Sequence, residues 1–100
     1  MRLGSTPIHE FTIPFDVSFI KEFKVTYKQD GEVVLEKYLK DFEIKERVLS
    51  VRLTQEETFL FDENSNIQVQ GRVLTTDNNA LTSDIVIITA MRCLDREVLE

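Results

Sequence analysis

The sequence predicts an all-β domain, an antiparallel β-sandwich of seven or eight short strands with a one-turn helical crossover and a short C-terminal tail. Three observations carry this. Residues 66–91, NIQVQGRVLTTDNNALTSDIVIITAM, read as two strands joined by a polar, turn-forming DNN. Short strand-like runs recur at close spacing, separated by turn residues, along most of the chain. The one helix-like period, Phe11, Phe15, Phe19 and Phe23, lies in a stretch rich in Phe, Val, Thr and Tyr that continues unbroken into KVTYK, and these residues favour strands.

Residues 1–7 read as a loose arm. The first strand is 8–13, with Phe11 and Ile13 on one parity and Pro14 at its end. The second is 17–28, where Phe19, Phe23, Val25 and Tyr27 share a parity; a bend near Ser18 explains why Ile20 falls out of phase. QDG at 29–31 turns the chain into a strand over 32–39. A two-residue Asp30-Gly31 turn would pair Lys28 with Val33 and Lys24 with Lys37. A three-residue loop with Gly31 in a bulge would pair Tyr27 with Val33, Val25 with Leu35 and Lys24 with Glu36, and cross-strand pairing favours it.

Short strands follow at 42–45 and 48–53, the latter with Leu49, Val51 and Leu53 inward. Thr54 with Glu57 three residues on is the capping-box pattern, so TQEET reads as one helical turn crossing between sheets, with Phe59-Leu60-Phe61 plugging the base of the core. The last two strands are 66–74 and 81–90. A loop centred on Asn78 pairs Gly71 with Ile85, Val69 with Ile87 and Arg72 with Asp84. The inner face is then Ile67, Val69, Val73, Ile85 and Ile87. Hairpin, short strands, helical crossover and hairpin, in that order, suit an immunoglobulin-like sandwich; a small open barrel is the rival.

One hundred residues with 42% apolar and 30% charged content suit a single soluble domain over 1–100. A formal net charge of −6, with the basic residues scattered, argues against nucleic acid as a partner. The longest wholly apolar run is four residues and MRLGSTPIHE has no signal-peptide core, so neither membrane nor export is expected. Cys93 is alone, which excludes an intrachain disulfide and a cysteine metal cluster and leaves a thiol in a reducing compartment, one packed beside the last strand, or an intermolecular bridge.

No pattern for catalysis emerges, so no enzyme, cofactor or metal is expected. His9, the sole histidine, reads as an exposed or edge residue between Ile8 and Glu10. Glu10, Glu43 and Asp84 fall on solvent faces, without the recess that shifts a catalytic carboxyl. DENSN at 62–66 and TDNNA at 76–80 lack EF-hand spacing and read as turns. The unexplained feature is a second apolar face. Gln68, Gln70, Arg72, Asp84, Val86 and Ile88 form the outer face of the last hairpin, covered either by the chain's own tail or edge strand, or by a partner or second copy. In the tail, 91–100, Leu94, Val98 and Leu99 have helical spacing on a segment too short to hold a helix alone; it either packs back on the sandwich or contacts another chain.

The stretches LTQEE at 53–57, IQVQGRVLT at 67–75, ALTSDIV at 80–86 and CLDREVL at 93–99, with FTIPFDVSFIKEFKVTYKQDGEVVLEK at 11–37, resemble a family of small structural proteins of Firmicutes bacteriophages and prophages. They are also similar to immunoglobulin-like N-terminal modules of baseplate proteins from that group. The resemblance implies a non-enzymatic, virion-associated structural or adaptor protein of tail, baseplate or capsid. Its partners would be virion proteins or a homo-oligomer, and its location the host cytoplasm during expression and the virion once assembled. Gly71, in mid-strand, departs from what a strong outer-face contact would want. The alternative is a small host- or carbohydrate-binding accessory module.

Overall fold

Eight strands pack as two antiparallel sheets in the computed structural model, which describes residues 1–100. β1 (Ile8–Thr12), β4 (Glu43–Lys45) and β5 (Val48–Arg52) form a three-stranded sheet in the order β1-β5-β4. β2 (Ile20–Gln29), β3 (Glu32–Tyr38), β6 (Asn66–Thr75), β7 (Ala80–Thr82) and β8 (Val86–Thr89) form the other. There β2 and β6 are central, β3 is one edge, and β7 and β8 both lie along the far side of β6. This is a β-sandwich with one short helix, α1 (Gln55–Thr58).

Alternation decides which side chains fill the space between the sheets. Val25 and Tyr27 of β2 and Ile67 and Val69 of β6 meet Leu49 and Val51 of β5 and the adjoining Leu53, all buried. Each such side chain contributes about 1.5–3 kcal/mol relative to remaining exposed. Phe11, Phe23 and Phe42 pack edge-on, with ring centroids 5.0–6.1 Å apart, and tie the two sheets together at one end. The inward set expected for β5 and β6 is the set observed.

The helical crossover also forms as its cap predicts. Glu57 N–H donates to Thr54 Oγ1 at 3.1 Å and Thr54 N–H to Glu57 Oε1 at 2.9 Å, so two orphan donors of the turn are satisfied. Of the three residues that follow, Phe61 is buried and Phe59 half-buried, but Leu60 faces solvent and takes no part in a plug.

Four expectations need correction. The second strand begins at Ile20, not at 17: Asp16 accepts from Ser18 N–H at 2.9 Å and caps a 3-10 turn over Val17–Phe19. The β2–β3 hairpin closes on a two-residue turn, Asp30 and Gly31 both at positive φ, with Gln29 opposite Glu32 and Lys28 opposite Val33. A bulge after Tyr27 then shifts the register, so Tyr27 faces Leu35 and Lys24 faces Tyr38. The tight Asp-Gly turn matches the strand twist, and the bulge moves Lys24 away from Lys37 and into an ion pair with Glu36 at 2.8 Å. Third, the last strand is not continuous over 81–90. Fourth, the segment read as a loose arm is docked.

That docking is built from backbone and one side chain. Leu3 N–H donates to Met91 O at 3.0 Å, Met91 N–H to Met1 O at 2.8 Å, and the terminal amine to Thr89 O at 2.8 Å, so Met1–Leu3 runs parallel beside the end of β8. Leu3 sits fully in the core. Gly4 follows at φ +81°, where an added Cβ would lie 2.8 Å from the Phe59 ring and 3.2 Å from Cys93 Sγ. No residue but glycine fits. Leu3→Ala is expected to cost about 2–4 kcal/mol in urea unfolding, and Gly4→Ala about 1–3 kcal/mol through its left-handed backbone; a loose arm would leave both unchanged.

Candidate protein interface

The sandwich is closed on one side and open on the other. Between β1, an edge of the smaller sheet, and β7–β8, an edge of the larger, lies a cleft of about 580 Å³. Phe11, Phe15, Phe23, Val69, Leu81 and Val86 give it an apolar lining, and Gly71 lies on its floor. Glu10, Arg72 and Asp84 border it.

The rim is formed by a break in the returning strand. β7 pairs Arg72 with Thr82 and Val73 with Leu81, whereas β8 pairs Ile67 with Ile88 and Val69 with Val86. Between them the returning chain spends three residues, Ser83–Ile85, opposite two on β6, so the register slips by one. Ser83 holds the gap: its N–H donates to Gly71 O and its Oγ accepts from Gly71 N–H, both at 2.9 Å. Gln70 Nε2 donates to Ser83 O at 3.0 Å. A Cβ on Gly71 would stand 3.8 Å from the Phe23 ring and 3.9 Å from Ser83 Oγ, so it is not what keeps the cleft open.

A slip of one residue turns every side chain of a strand to the opposite face. Val86 and Ile88, expected outside with Gln68, Gln70 and Arg72, therefore lie on the inner parity, and Ile85 and Ile87, expected inside, lie outside. Ile88 is half-buried against the core, yet Val86 remains 58% exposed because nothing covers it at the open cleft. Ile85 and Ile87 are 53% and 61% exposed. Gln68, Gln70 and Arg72 do share the outer face of β6. The expected Arg72–Asp84 pair does not form; Arg72 stands opposite Thr82, and both ion pairs of the chain lie elsewhere, at Lys24–Glu36 and Lys37–Glu57.

Nor does the tail cover this side. It forms no helix and returns instead across α1. Leu99 N–H donates to Gln55 Oε1, and Gln55 Nε2 to Leu99 O, both at 2.9 Å. Arg96 donates to Phe59 O at 3.0 Å with its guanidinium 4.9 Å from the Phe59 ring. Val98 is half-buried, while Leu94 and Leu99 are exposed. The interface set named from sequence is thus split: Arg72, Asp84 and Val86 line the cleft, Gln68 and Gln70 lie on the outer face of β6, Ile88 packs against the core, and of the tail residues Leu94, Val98 and Leu99 it is Leu99 that is hydrogen-bonded to α1.

Two other polar sites resolve into local structure. In the turn at 75–79, Asn79 N–H donates to Thr75 Oγ1 at 3.0 Å and Asn79 Nδ2 to Asp77 Oδ2 at 3.1 Å, while Thr75 Oγ1 also donates to Asp77 Oδ1. The hydrogen bond from Thr75 holds the Asp77 carboxyl below its usual pKa. His9 does sit on an edge strand, but its side chain is half-buried rather than exposed. It shares its parity with Phe11 and Ile13, and its Nδ1 lies 2.7 Å from Tyr27 Oη with the rings 5.6 Å apart. That shared parity was the signal in the sequence. Burial keeps the Tyr27 phenol protonated well above its ordinary range, with the charge of Glu57 adding to the effect. Glu57 itself is pulled up by burial, but hydrogen bonds from Lys37 and from Thr54 N–H outweigh this and leave it below the usual carboxylate value.

With the geometry in place, comparison with protein-family models, with curated proteins and with solved structures finds no match.

Burial first, and the nearby terminal ammonium second, lower the His9 pKa below 6.5. The unfolded chain therefore binds this proton more readily than the folded one. The stability held by the neutral ring is fully present above pH 6.5 and is lost as the pH falls through that value toward the folded pKa. Thermal melts between pH 7 and pH 5 should show the melting temperature falling for the native chain and staying flat for His9→Gln. Losses below about pH 4.5, where carboxylates titrate, should be common to both.

Proposed function

We propose that the chain is a non-enzymatic structural adaptor of a bacteriophage or prophage virion, made in the host cytoplasm and working through protein–protein contact at the open side of its sandwich. The observation that carries this is the exposed, uncharged run Ile85-Val86-Ile87 at a sheet edge beside an apolar cleft. Soluble chains seldom leave such a surface without a partner. The virion assignment rests on the resemblance in residues 11–37 and 53–99.

Strand order supports the finer reading of an immunoglobulin-like sandwich. With β1 taken as strand B, the smaller sheet runs B-E-D and the larger C′-C-F-G, the order of that architecture without its first strand. The carbohydrate-binding alternative asks for an exposed aromatic platform. The exposed aromatics, Phe19 and Tyr38, sit on separate elements, one at the end of a 3-10 turn and the other at the end of β3, which gives it less support.

Co-expression with the virion proteins encoded beside its gene tests the proposal. At least one should co-purify with the native chain, and replacing Val86 with Lys should weaken that capture about tenfold, the effect of about 1.4 kcal/mol. A chain that stays monomeric at high concentration and captures none of them would overturn the adaptor role.

A further inference from the structure

The rim of the cleft has directed hydrogen-bonding groups as well as apolar surface. Along an antiparallel strand, residues alternate between pointing both backbone groups at the partner and pointing both away. Ala90 N–H bonds to Ser65 O across the β6–β8 ladder, while Thr89 O turns the other way to accept from the terminal amine. Counting back by twos from Thr89, Ile87 points its N–H and C=O outward, away from β6. Ile85, in the break before β8, has no hydrogen bond at either backbone group. The four backbone groups of these two residues thus have no partner within the chain.

The arm shows what this edge accepts. Met1–Leu3 already lies beside residues 89–91 as a short parallel strand and stops where the free groups begin. The other edges are guarded in the usual ways. β3 carries Glu32, Glu36 and Lys37; β4 is three residues long with Glu43 and Lys45; β1 carries Glu10 and runs into Pro14. Residues 85–89, IVIIT, have no charge and no proline.

We infer that the free edge of β8 receives an extended strand donated by a partner protein, apolar toward the cleft and basic on its other side; this rests on the adaptor reading above. Backbone pairing at Ile85 and Ile87 supplies the attachment, and alternate apolar side chains enter the cleft over Val86 and Val69. The cleft volume falls within the range of about 300–1,000 Å³ typical of ligand pockets. On the outer face, lysine or arginine stems cover Ile85 and Ile87 while their heads stay in water. Overall charge favours them over acidic heads, since the chain carries a net −6.

A labelled peptide alternating valine and lysine is the probe, titrated into the full chain by fluorescence anisotropy with amide exchange followed by NMR. Saturable binding is expected, with exchange at Ile85 and Ile87 slowed about tenfold or more at saturation. Ile87→Pro removes an outward N–H at a position where an edge tolerates proline, and should weaken binding about tenfold while the fold is retained. Val86→Lys, which leaves the backbone groups in place and charges the cleft, is the second variant and should do the same. The same peptide with glutamate in place of lysine should bind at least about tenfold more weakly. No binding, equal binding by both variants, or equal binding of the glutamate peptide overturns the inference. So does a self-association, seen by sedimentation, that Ile87→Pro dissolves, since the occupant is then a second copy. If neighbouring virion proteins still bind the Ile87→Pro chain while Val86→Lys weakens their capture, the donated strand fails while the adaptor role stands.

Discussion

The rest of the molecule hangs on the β2–β6 ladder. These ten-residue strands pair from Ile20 with Thr75 to Lys28 with Gln68, and each is hydrogen-bonded on its other side as well. Their inward residues, Phe23, Val25, Tyr27, Ile67 and Val69, supply most of what the larger sheet sets against β5. Because both strands are central, neither can slide without exposing its whole apolar set. Everything attached to them inherits that register.

Against this fixed frame the outer strands adjust by single residues. The bulge after Tyr27 lets β3 keep a tight Asp-Gly turn and still bring Glu36 within reach of Lys24. The extra residue at Ser83–Ile85 lets β7 and β8 share one edge of β6 in two registers. The two irregularities differ in consequence. The first is absorbed within a hairpin; the second reverses the faces of β8 and leaves apolar side chains at an open rim.

The N-terminal segment and tail explain why that rim stays open. Met1–Leu3 binds the last residues of β8 and anchors through Leu3, so it closes the end of the edge and goes no further. The tail is held at α1 by Gln55 and Arg96, on surface away from the cleft. Both terminal segments are tied down, and neither reaches Ile85–Ile87. An added strand there would pair the outward groups of Ile85 and Ile87 and cover the apolar lining together, which links the shape of the fold to the partner chemistry it suits.

Much of the fold was legible because it depends on local pattern. Period-two alternation placed Leu49, Val51 and Leu53 inward on β5 and Ile67, Val69 and Val73 inward on β6, and the Thr54–Glu57 box announced the helical turn. Of the candidate interface, the outer set Gln68, Gln70 and Arg72 and the two-faced apolar character of the last strand were readable too. What alternation cannot show is a phase shift. Ile85-Val86-Ile87-Ile88 is apolar at every position, so the pattern is the same in either register, and only the Ser83–Gly71 bonds decide which face turns in. His9 was readable from its parity with Phe11, but its tie to Tyr27 depended on where the other sheet stands. The arm was opaque for the same reason, since Leu3 is one apolar residue among polar ones and gains its place from Met91, Thr58 and Phe59, all distant in sequence. Sequence alone determined where most strands run, the inward faces of β5 and β6 and the helical crossover, because those follow from neighbours along the chain. Tertiary structure alone decided the register of β8, the docking of the ends and the open edge, because each is a contact between segments that carry no mark of one another.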